Sequence, residues 1–188
     1  MTGRLATFIG GTAGPWQVVR MDPVAGPSLE KVTRLAIIEG NRVPVPHEDG
    51  WLLRGVTSHA RYVTRREQDT LSARQPGLGR PAAGCAALIP IRKSASWWNL
   101  TQDERRRIFE TQSHHIKTGI KYLPAVARRL YHCRDLEEPF DFLTWFEYAP
   151  ADAAAFEQLV AALRKSEEWR YVEREIDIRL VRDDAASR

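Results

Sequence analysis

Residues 113–131 read SHHIKTGIKYLPAVARRLY, and they join the end of a predicted helix to the start of a predicted strand. Residues 101–104 (TQDE) have the spacing of a capping box, in which the first and last side chains each bond the other residue's backbone, so a helix is predicted to begin there. Pro124 cannot continue a helix, and we expect the helix to end near Lys121. A strand is predicted next, over residues 125–133. Two histidines on the helix therefore come shortly before two arginines on the strand.

The rest of the C-terminal part alternates strands and helices in a regular way. Residues 85–91 form a short apolar run that is typical of a buried strand. Pro150 lies where a helix can begin, and an apolar stripe at helical spacing follows it. Further strands are predicted over 140–148 and 172–180, and the alternating charged positions of the last one are expected to face solvent. The resulting order is βαββαβ, an α+β arrangement of the ferredoxin-like kind, with helices over one sheet face. The other face needs cover from the N-terminal part or from a second subunit.

The N-terminal part is less regular and rich in glycine and proline. We expect a strand, a helix, a second strand and a loop, in that order, over residues 16–21, 28–39, 51–63 and 73–84. The change in pattern divides the chain into residues 1–80 and residues 81–188.

Composition excludes several classes of function. Lysine and arginine number 28 against 24 acidic residues, for a net charge of +4, and the basic residues are scattered rather than gathered in runs. With no basic stripe and no known motif, no nucleic-acid partner is expected. Cys85 and Cys133 have no metal-ligand spacing and predict no disulfide framework, which favours the reducing cytoplasm. The first residues lack the apolar core of a signal peptide, and no apolar run of about 18 residues predicts a membrane span.

Helical spacing separates the two histidines. His114 shares its face with charged residues and is predicted to face solvent, whereas His115 lies on the inward face. Gly119, one turn later, leaves room for a flat ligand. From spacing alone His115 is either a hydrogen-bonded histidine of the core or the ligand of a metal cofactor. Arg128 and Arg129 point to opposite faces of their strand, and periodicity does not decide which faces inward, where an arginine needs an anionic partner.

Three segments taken together resemble the chlorite dismutase family of heme proteins. They are residues 85–101 (CAALIPIRKSASWWNLT), 122–132 (YLPAVARRLYH) and 142–147 (FLTWFE). The similarity runs from about Trp51 to Arg182 and is to the short-chain branch, whose N-terminal half is trimmed. The resemblance implies two ferredoxin-like halves in a dimeric α+β barrel, the N-terminal half truncated, with heme b in the C-terminal half.

The resemblance also implies roles for individual residues. His115 matches the proximal ligand of the heme iron, and Arg128 matches the distal arginine. Glu168 matches the carboxylate that hydrogen-bonds the proximal imidazole, although a last helix continued this far would turn Glu167 inward instead. The distal pocket wall corresponds to Leu130, Thr144 and Phe146, and the heme edge with its propionates to Lys93, Trp97 and Tyr62, with Trp98 beside them.

The implied activity is that of a heme b chlorite O₂-lyase, which converts chlorite to chloride and dioxygen. The planar, permanently charged guanidinium of Arg128 would capture the chlorite anion and retain hypochlorite. Two alternatives remain. One is a coproheme decarboxylase or peroxidase-like enzyme of the same superfamily, whose decarboxylases lack the distal arginine. The other is a non-catalytic heme-binding or heme-sensing protein. The short-chain resemblance favours a cytoplasmic homodimer.

Overall fold

The computed structural model describes residues 5–40, 50–57 and 62–183, which form eight β-strands and five α-helices. The strands are β1 (Leu5–Gly11), β2 (Trp16–Ala25), β3 (Arg34–Glu39), β4 (Trp51–Val56), β5 (Cys85–Lys93), β6 (Val126–His132), β7 (Phe142–Tyr148) and β8 (Val172–Arg182). The helices are α1 (Arg65–Arg74), α2 (Ala95–Trp98), α3 (Gln102–Arg106), α4 (His115–Lys121) and α5 (Ala153–Arg164). A π-helix spans Arg107–Gln112, and short 3₁₀ segments span Arg134–Leu136, Pro150–Asp152 and Glu167–Tyr171. Within these described ranges no helix has the length and apolar character needed to cross a membrane.

The strands close into one antiparallel barrel in the order β1-β3-β2-β8-β5-β7-β6-β4. Each half of the chain supplies four neighbouring strands, which meet at two seams. At one seam β2 and β8 form a long ladder from Trp16↔Arg182 to Ala25↔Glu175. At the other seam the pairing of β4 with β6 consists of Val56↔His132. The N-terminal strands therefore cover the sheet face that the helices of the C-terminal half leave open.

The two halves have the same strand order but different connections. The C-terminal half has the predicted βαββαβ order, with α2, α3 and α4 between β5 and β6 and α5 between β7 and β8. In the N-terminal half only residues 12–15 connect β1 to β2, which leaves no space for a helix. The outer face of this half consequently carries no crossover helix within the residues described.

Two predictions for the N-terminal half are wrong, and two elements were not predicted. The helix predicted over residues 28–39 is absent. Its second half is strand β3, which pairs with β1 from Ala6↔Glu39 to Gly11↔Arg34, and residues 28–33 are in neither a helix nor a strand. Leu35 is fully buried in the barrel, so the ladder and the burial outweigh the local helical spacing. The strand predicted over residues 51–63 ends at Val56, and its residues 58–61 lie outside the described part of the chain. The elements missed were β1 and α1.

Alternation along the strands divides the buried residues into two groups. On β7, Leu143 and Trp145 point into the barrel and pack in its apolar interior. Phe146 and Tyr148 point outward and pack against Phe156 of α5 in a second apolar cluster. Several residues of this outer cluster also line the cavity described below.

The charged face of β8 is buried, which corrects the prediction of a solvated face. Glu175, Asp177 and Arg179 are 1%, 2% and 6% exposed. Arg164 of α5 reaches across with Nη2 to Glu175 Oε1 at 2.5 Å and to Asp177 Oδ2 at 2.8 Å. Arg179 pairs with Asp177 and with Glu157 of α5. Because α5 covers this face, its charges are stable only as ion pairs.

The helix predicted from Thr101 to Lys121 is interrupted. The capping box at Thr101 is present, but α3 passes into the π-helix, and His114 then has the left-handed φ of +51°. Helix α4 begins anew at His115. The extra residue of a π-turn rotates everything that follows it, so a single helical wheel does not describe this segment.

Candidate functional site

A cavity of about 910 Å³ lies between the outer face of the C-terminal sheet and helices α1, α4 and α5. Its lining includes nine of the ten residues singled out from the sequence: Tyr62, Lys93, Trp97, His115, Arg128, Leu130, Thr144, Phe146 and Glu168. The tenth, Trp98, is not part of the lining.

His115, Glu168 and Lys93 form a connected group on the helical side of the cavity. His115 Nδ1 lies 2.7 Å from Glu168 Oε2, and Lys93 Nζ lies 2.8 Å from Glu168 Oε1. Burial alone would raise the pKa of Glu168, but electrostatic interactions and hydrogen bonds with His115 and Lys93 lower it to about 2. The carboxylate is therefore ionised at neutral pH and accepts from Nδ1–H. This tautomer leaves Nε2 of the imidazole available to a metal.

The short 3₁₀ segment after α5 decides which of the two adjacent glutamates faces the cavity. Because α5 ends at Arg164, Glu168 is not placed by the period of that helix. Its backbone N–H donates to Ser113 Oγ at 2.8 Å, and the residue is 4% exposed. Glu167 faces outward and pairs with Arg170. A continued helix would have turned Glu167 inward, whereas in the structure Glu167 is at the surface.

Two aromatic rings that the sequence reasoning missed lie near-parallel to the imidazole. The Phe109 ring is centred 4.3 Å from the His115 ring at an interplanar angle of 20°, and the Trp169 ring 6.4 Å away at 19°. Trp169 Nε1 donates to the buried Glu175 at 2.7 Å. Phe109 belongs to the π-helix. The spacing of an α-helix that starts at Thr101 does not predict a contact between Phe109 and His115.

Arg128 faces the cavity from β6. In the described part of the chain no carboxylate pairs with its guanidinium, whereas Arg129 pairs with Glu39 at 2.7 Å. Desolvation lowers the pKa of Arg128, but the ordinary pKa of an arginine is so high that the guanidinium stays charged at neutral pH. Gln75, which the sequence reasoning did not single out, binds the strand at this point: its Nε2 donates to the backbone oxygen of Arg128 at 2.8 Å. Within residues 5–40, 50–57 and 62–183, Arg128 is therefore a cation without a carboxylate partner.

The wall beside Arg128 comes from alternate residues of two paired strands. Leu130 is directly opposite Thr144 in the ladder between β6 and β7, and Arg128 is opposite Phe146. These four side chains line the cavity. Of the three side chains that share this wall with Arg128, Leu130 and Phe146 are apolar, and Thr144 carries a hydroxyl.

One edge of the cavity combines a buried cation with aromatic rings. Lys93 Nζ lies 4.8 Å from the centre of the Trp97 ring. Trp97 is 1% exposed, and its Nε1 has no hydrogen-bond partner within the described residues. Tyr62 packs edge-on against Trp97 with ring centres 6.3 Å apart. A buried donor without an acceptor is costly, so Trp97 Nε1 is placed to serve a ligand.

Trp98 is not part of the cavity lining, and its assignment as a cofactor-binding residue stays a prediction. Its Nε1 donates to Asp141 Oδ2 at 3.2 Å. The guanidinium groups of Arg134 and Arg105 lie over its ring, at 4.1 Å and 5.0 Å from the centre. Its ring also stacks on that of Phe142, which lines the cavity, with ring centres 6.0 Å apart.

The fold and the cavity define an α+β barrel protein with a ligand site on the outer face of its sheet. The sequence profile of the family described as chlorite dismutase matches residues 31–182. The chain therefore belongs to the chlorite dismutase family.

Individual relatives agree with this membership. A chlorite dismutase from Ideonella dechloratans is 34% identical over 119 residues, which are 62% of this chain and 40% of that protein. The match thus spans less than half the length of that relative. The crystal structure of a dimeric chlorite dismutase from Nitrobacter winogradskyi is 59% identical, with a TM-score of 0.87 over 94% of this chain and 99% of that one. A chlorite dismutase structure from Candidatus Nitrospira defluvii, 20% identical, has a TM-score of 0.64 over 95% of this chain and 91% of that one, and shows the likeness of fold.

Proposed function

We propose that this protein is a heme b chlorite O₂-lyase, which converts each chlorite ion into one chloride ion and one dioxygen molecule. The observation that carries the proposal is Arg128, a desolvated guanidinium without a carboxylate partner in the described residues, facing the cavity that His115 lines. An unpaired guanidinium in a cavity is stabilised when it binds a small anion from solution, and chlorite is such an anion.

The residues of the cavity fit heme b. His115 has Nδ1 occupied by Glu168, so Nε2 is the nitrogen that would hold the heme iron. The unpartnered Nε1 of Trp97 lies at the edge where a heme carboxylate would find a donor, whereas the ammonium of Lys93 is bound to Glu168. Away from that edge, Leu159, Val160 and Leu163 offer an apolar surface to the rest of the ring.

The chain's own residues would then divide the work between two sides. When bound, heme supplies an iron centre at which an oxygen atom can leave chlorite. Glu168 holds the His115 imidazole in one orientation and tautomer and makes it more electron-rich. Arg128 would draw chlorite in and retain the hypochlorite that remains when one oxygen atom is removed, until its own oxygen joins that atom as dioxygen and chloride leaves. Leu130 and Phe146 exclude water and offer no competing base.

The test is an oxygen-electrode trace after chlorite is added to the purified, heme-loaded protein. Dioxygen and chloride should appear in equal amounts, and together they should account for the chlorite consumed. Conversion of coproheme to heme b with peroxide, with little dioxygen from chlorite, would identify a decarboxylase instead. Heme binding with neither reaction would identify a carrier or sensor.

We also propose a homodimer of two ferredoxin-like halves per chain, residues 1–80 and 81–188. The support is the same strand order in both halves and the 59% identity to a protein described as dimeric. The surface proposed for the partner copy is the outer sheet face of the N-terminal half. There the half-buried apolar side chains of Ile9, Ile38 and Leu52 lie on strands that no crossover helix covers within the described residues.

A reducing, cytoplasmic location is the remaining part of the proposal. Its support is that Cys85 and Cys133 are both free thiols.

A further inference from the structure

The segment that carries His115 is held by a side chain with no role in the proposed chemistry. Helix α4 starts after a π-helix and after His114, whose φ of +51° is unusual for a residue with a side chain. A chain that turns this sharply leaves backbone N–H groups of the next turn without intrahelical partners. Such a turn keeps its shape only where other groups bind those N–H groups.

Glu110 supplies the missing acceptors. Its Oε2 accepts from the backbone N–H of Ile116 at 2.7 Å, and its Oε1 from that of Lys117 at 3.3 Å. Both oxygens of one carboxylate are thus used on the two residues that follow His115. Hydrogen bonds to an ionised acceptor are stronger than neutral ones, and their charge suits the positive end of a helix.

The same segment also touches both partners of the imidazole. Phe109, next to Glu110, lies near-parallel to the His115 ring, and Ser113 Oγ accepts from the backbone N–H of Glu168. The bonds made by Glu110 tie the segment before the break to the helix after it. A change in that tie would therefore move the imidazole relative to both Phe109 and Glu168.

We propose that Glu110 is a positioning residue, whose carboxylate fixes the turn on which His115 stands and so sets the direction of the imidazole. The inference rests on the proposed function in one respect, that His115 binds heme iron. It predicts that Glu110 controls the quality of the axial bond and not only the stability of the fold.

The main experiment compares Glu110→Ala with Glu104→Ala. Glu104 is a matched control, because it binds the backbone N–H of Thr101 at 2.7 Å at the start of α3 and has no contact with His115. Heme loss is measured as transfer to excess apomyoglobin, and the iron–imidazole stretching band by resonance Raman of the ferrous protein. We expect Glu110→Ala to lose heme about tenfold faster, with a shifted or broadened band. Glu104→Ala should stay within about twofold of the wild type.

Glu110→Gln provides a milder variant if the alanine variant folds poorly. The amide keeps one acceptor oxygen but turns an NH₂ group toward the second backbone N–H, so its rate of heme loss should lie between those of the wild type and Glu110→Ala. Equal heme loss in the Glu110 and Glu104 variants, with unchanged Raman bands, would overturn the proposal.

A heme-free readout separates this inference from the proposed function. In the full chain before heme loading, the Nδ1–H proton of His115 bound to Glu168 should give a downfield NMR signal. We expect Glu110→Ala to broaden or lose this signal and Glu104→Ala to keep it. A signal indifferent to Glu110→Ala would overturn the inference, whereas failure of the wild type to take up heme would overturn the proposed function alone.

Discussion

His115 and Glu168 each stand beside an identical residue that faces away from the cavity. His114 is exposed, and Glu167 pairs with Arg170 on the surface. Trp97 and Trp98 show the same division, since only Trp97 lines the cavity. The two residues of each pair are of the same type, so their different positions come from the residues that bind them. Lys93 binds Glu168 at the cavity, and Asp141 binds Trp98 outside it.

The two glutamates allow a direct test at this scale. Glu168→Ala removes the acceptor for the imidazole and leaves Lys93, whose side chain is 3% exposed, as an unpaired buried cation. Heme retention should fall by about ten- to a hundredfold, measured by transfer to apomyoglobin, and the thermal midpoint should drop. Glu167→Ala removes an exposed contact only and should change neither. Similar losses in both variants would contradict the assignment of Glu168.

Arg128 and Arg129 give a second matched pair. Arg128→Ala should keep heme, because it leaves His115 untouched, while oxygen release from chlorite should fall by roughly ten- to a thousandfold. It should also leak more hypochlorite into a chlorination trap and bleach sooner. Arg128→Lys should restore activity in part, since it keeps the charge without the planar fork.

Arg129→Ala is the control for that experiment. Arg129 also borders the cavity but is already paired with Glu39, so its loss should reduce oxygen release far less. Oxygen release that is indifferent to Arg128→Ala, with no extra hypochlorite, would remove the role assigned to Arg128.

At the scale of elements, the contact of α5 with β8 depends on ion pairs rather than on apolar surface alone. Asp177 accepts from both Arg164 and Arg179, and all three lie in the interface. Burial raises the pKa of Asp177, but hydrogen bonds and charge from Arg179 and then Arg164 outweigh this and lower it. Protonation of Asp177 therefore costs more in the folded protein than in the unfolded chain.

The lowered pKa predicts the direction of an acid effect. The stability that Asp177 contributes is fully present above its unfolded pKa of about 3.9 and is lost as pH falls through the lower folded value. We expect Asp177→Asn to reduce the free energy of unfolding by about 2 kcal/mol at neutral pH and to make its decline below about pH 4 less steep. Urea unfolding over a pH series checks this. Asp22→Asn, at a side chain that is 59% exposed, should follow the wild-type curve, and a parallel decline in all three proteins would refute the effect.

At the scale of the whole molecule, the barrel separates an apolar interior from a functional outer surface. The C-terminal half covers its outer face with helices and builds the cavity beneath them. The N-terminal half supplies the strands that close the barrel, and within the described residues its outer face has no crossover helix of its own. The proposed dimer would bury that face.

The dimer prediction concerns mass and one interface position. Light scattering of the holoprotein should give twice the chain's 21.4 kDa. Leu52→Arg places a charge on the proposed interface and should shift the protein toward monomer at micromolar concentration. Gln158→Arg, on the exposed face of α5, should leave the dimer intact. A wild-type monomer or pentamer, or a Leu52→Arg dimer as tight as the wild type, would contradict the proposal.

Local sequence was sufficient for much of the C-terminal half. The capping box at Thr101 and the strand predicted over residues 140–148 each depend on neighbours within a few positions. The structure has the capping box, and the strand is present as β7 over Phe142–Tyr148. Resemblance to a family added residues such as Lys93 and Tyr62, which no local spacing could connect with His115.

Tertiary structure alone decided the features that depend on distant partners. Strand β3 exists because β1 pairs with it, and the charged face of β8 is buried because Arg164 reaches it from α5. The segment just before His115 also has a distant partner, since Ser113 Oγ accepts from the backbone N–H of Glu168. Spacing along the chain sets the direction of a side chain within its own element. Whether the side chain then faces solvent, a partner residue or a cavity depends on strands and helices that are distant in the sequence and pack against it.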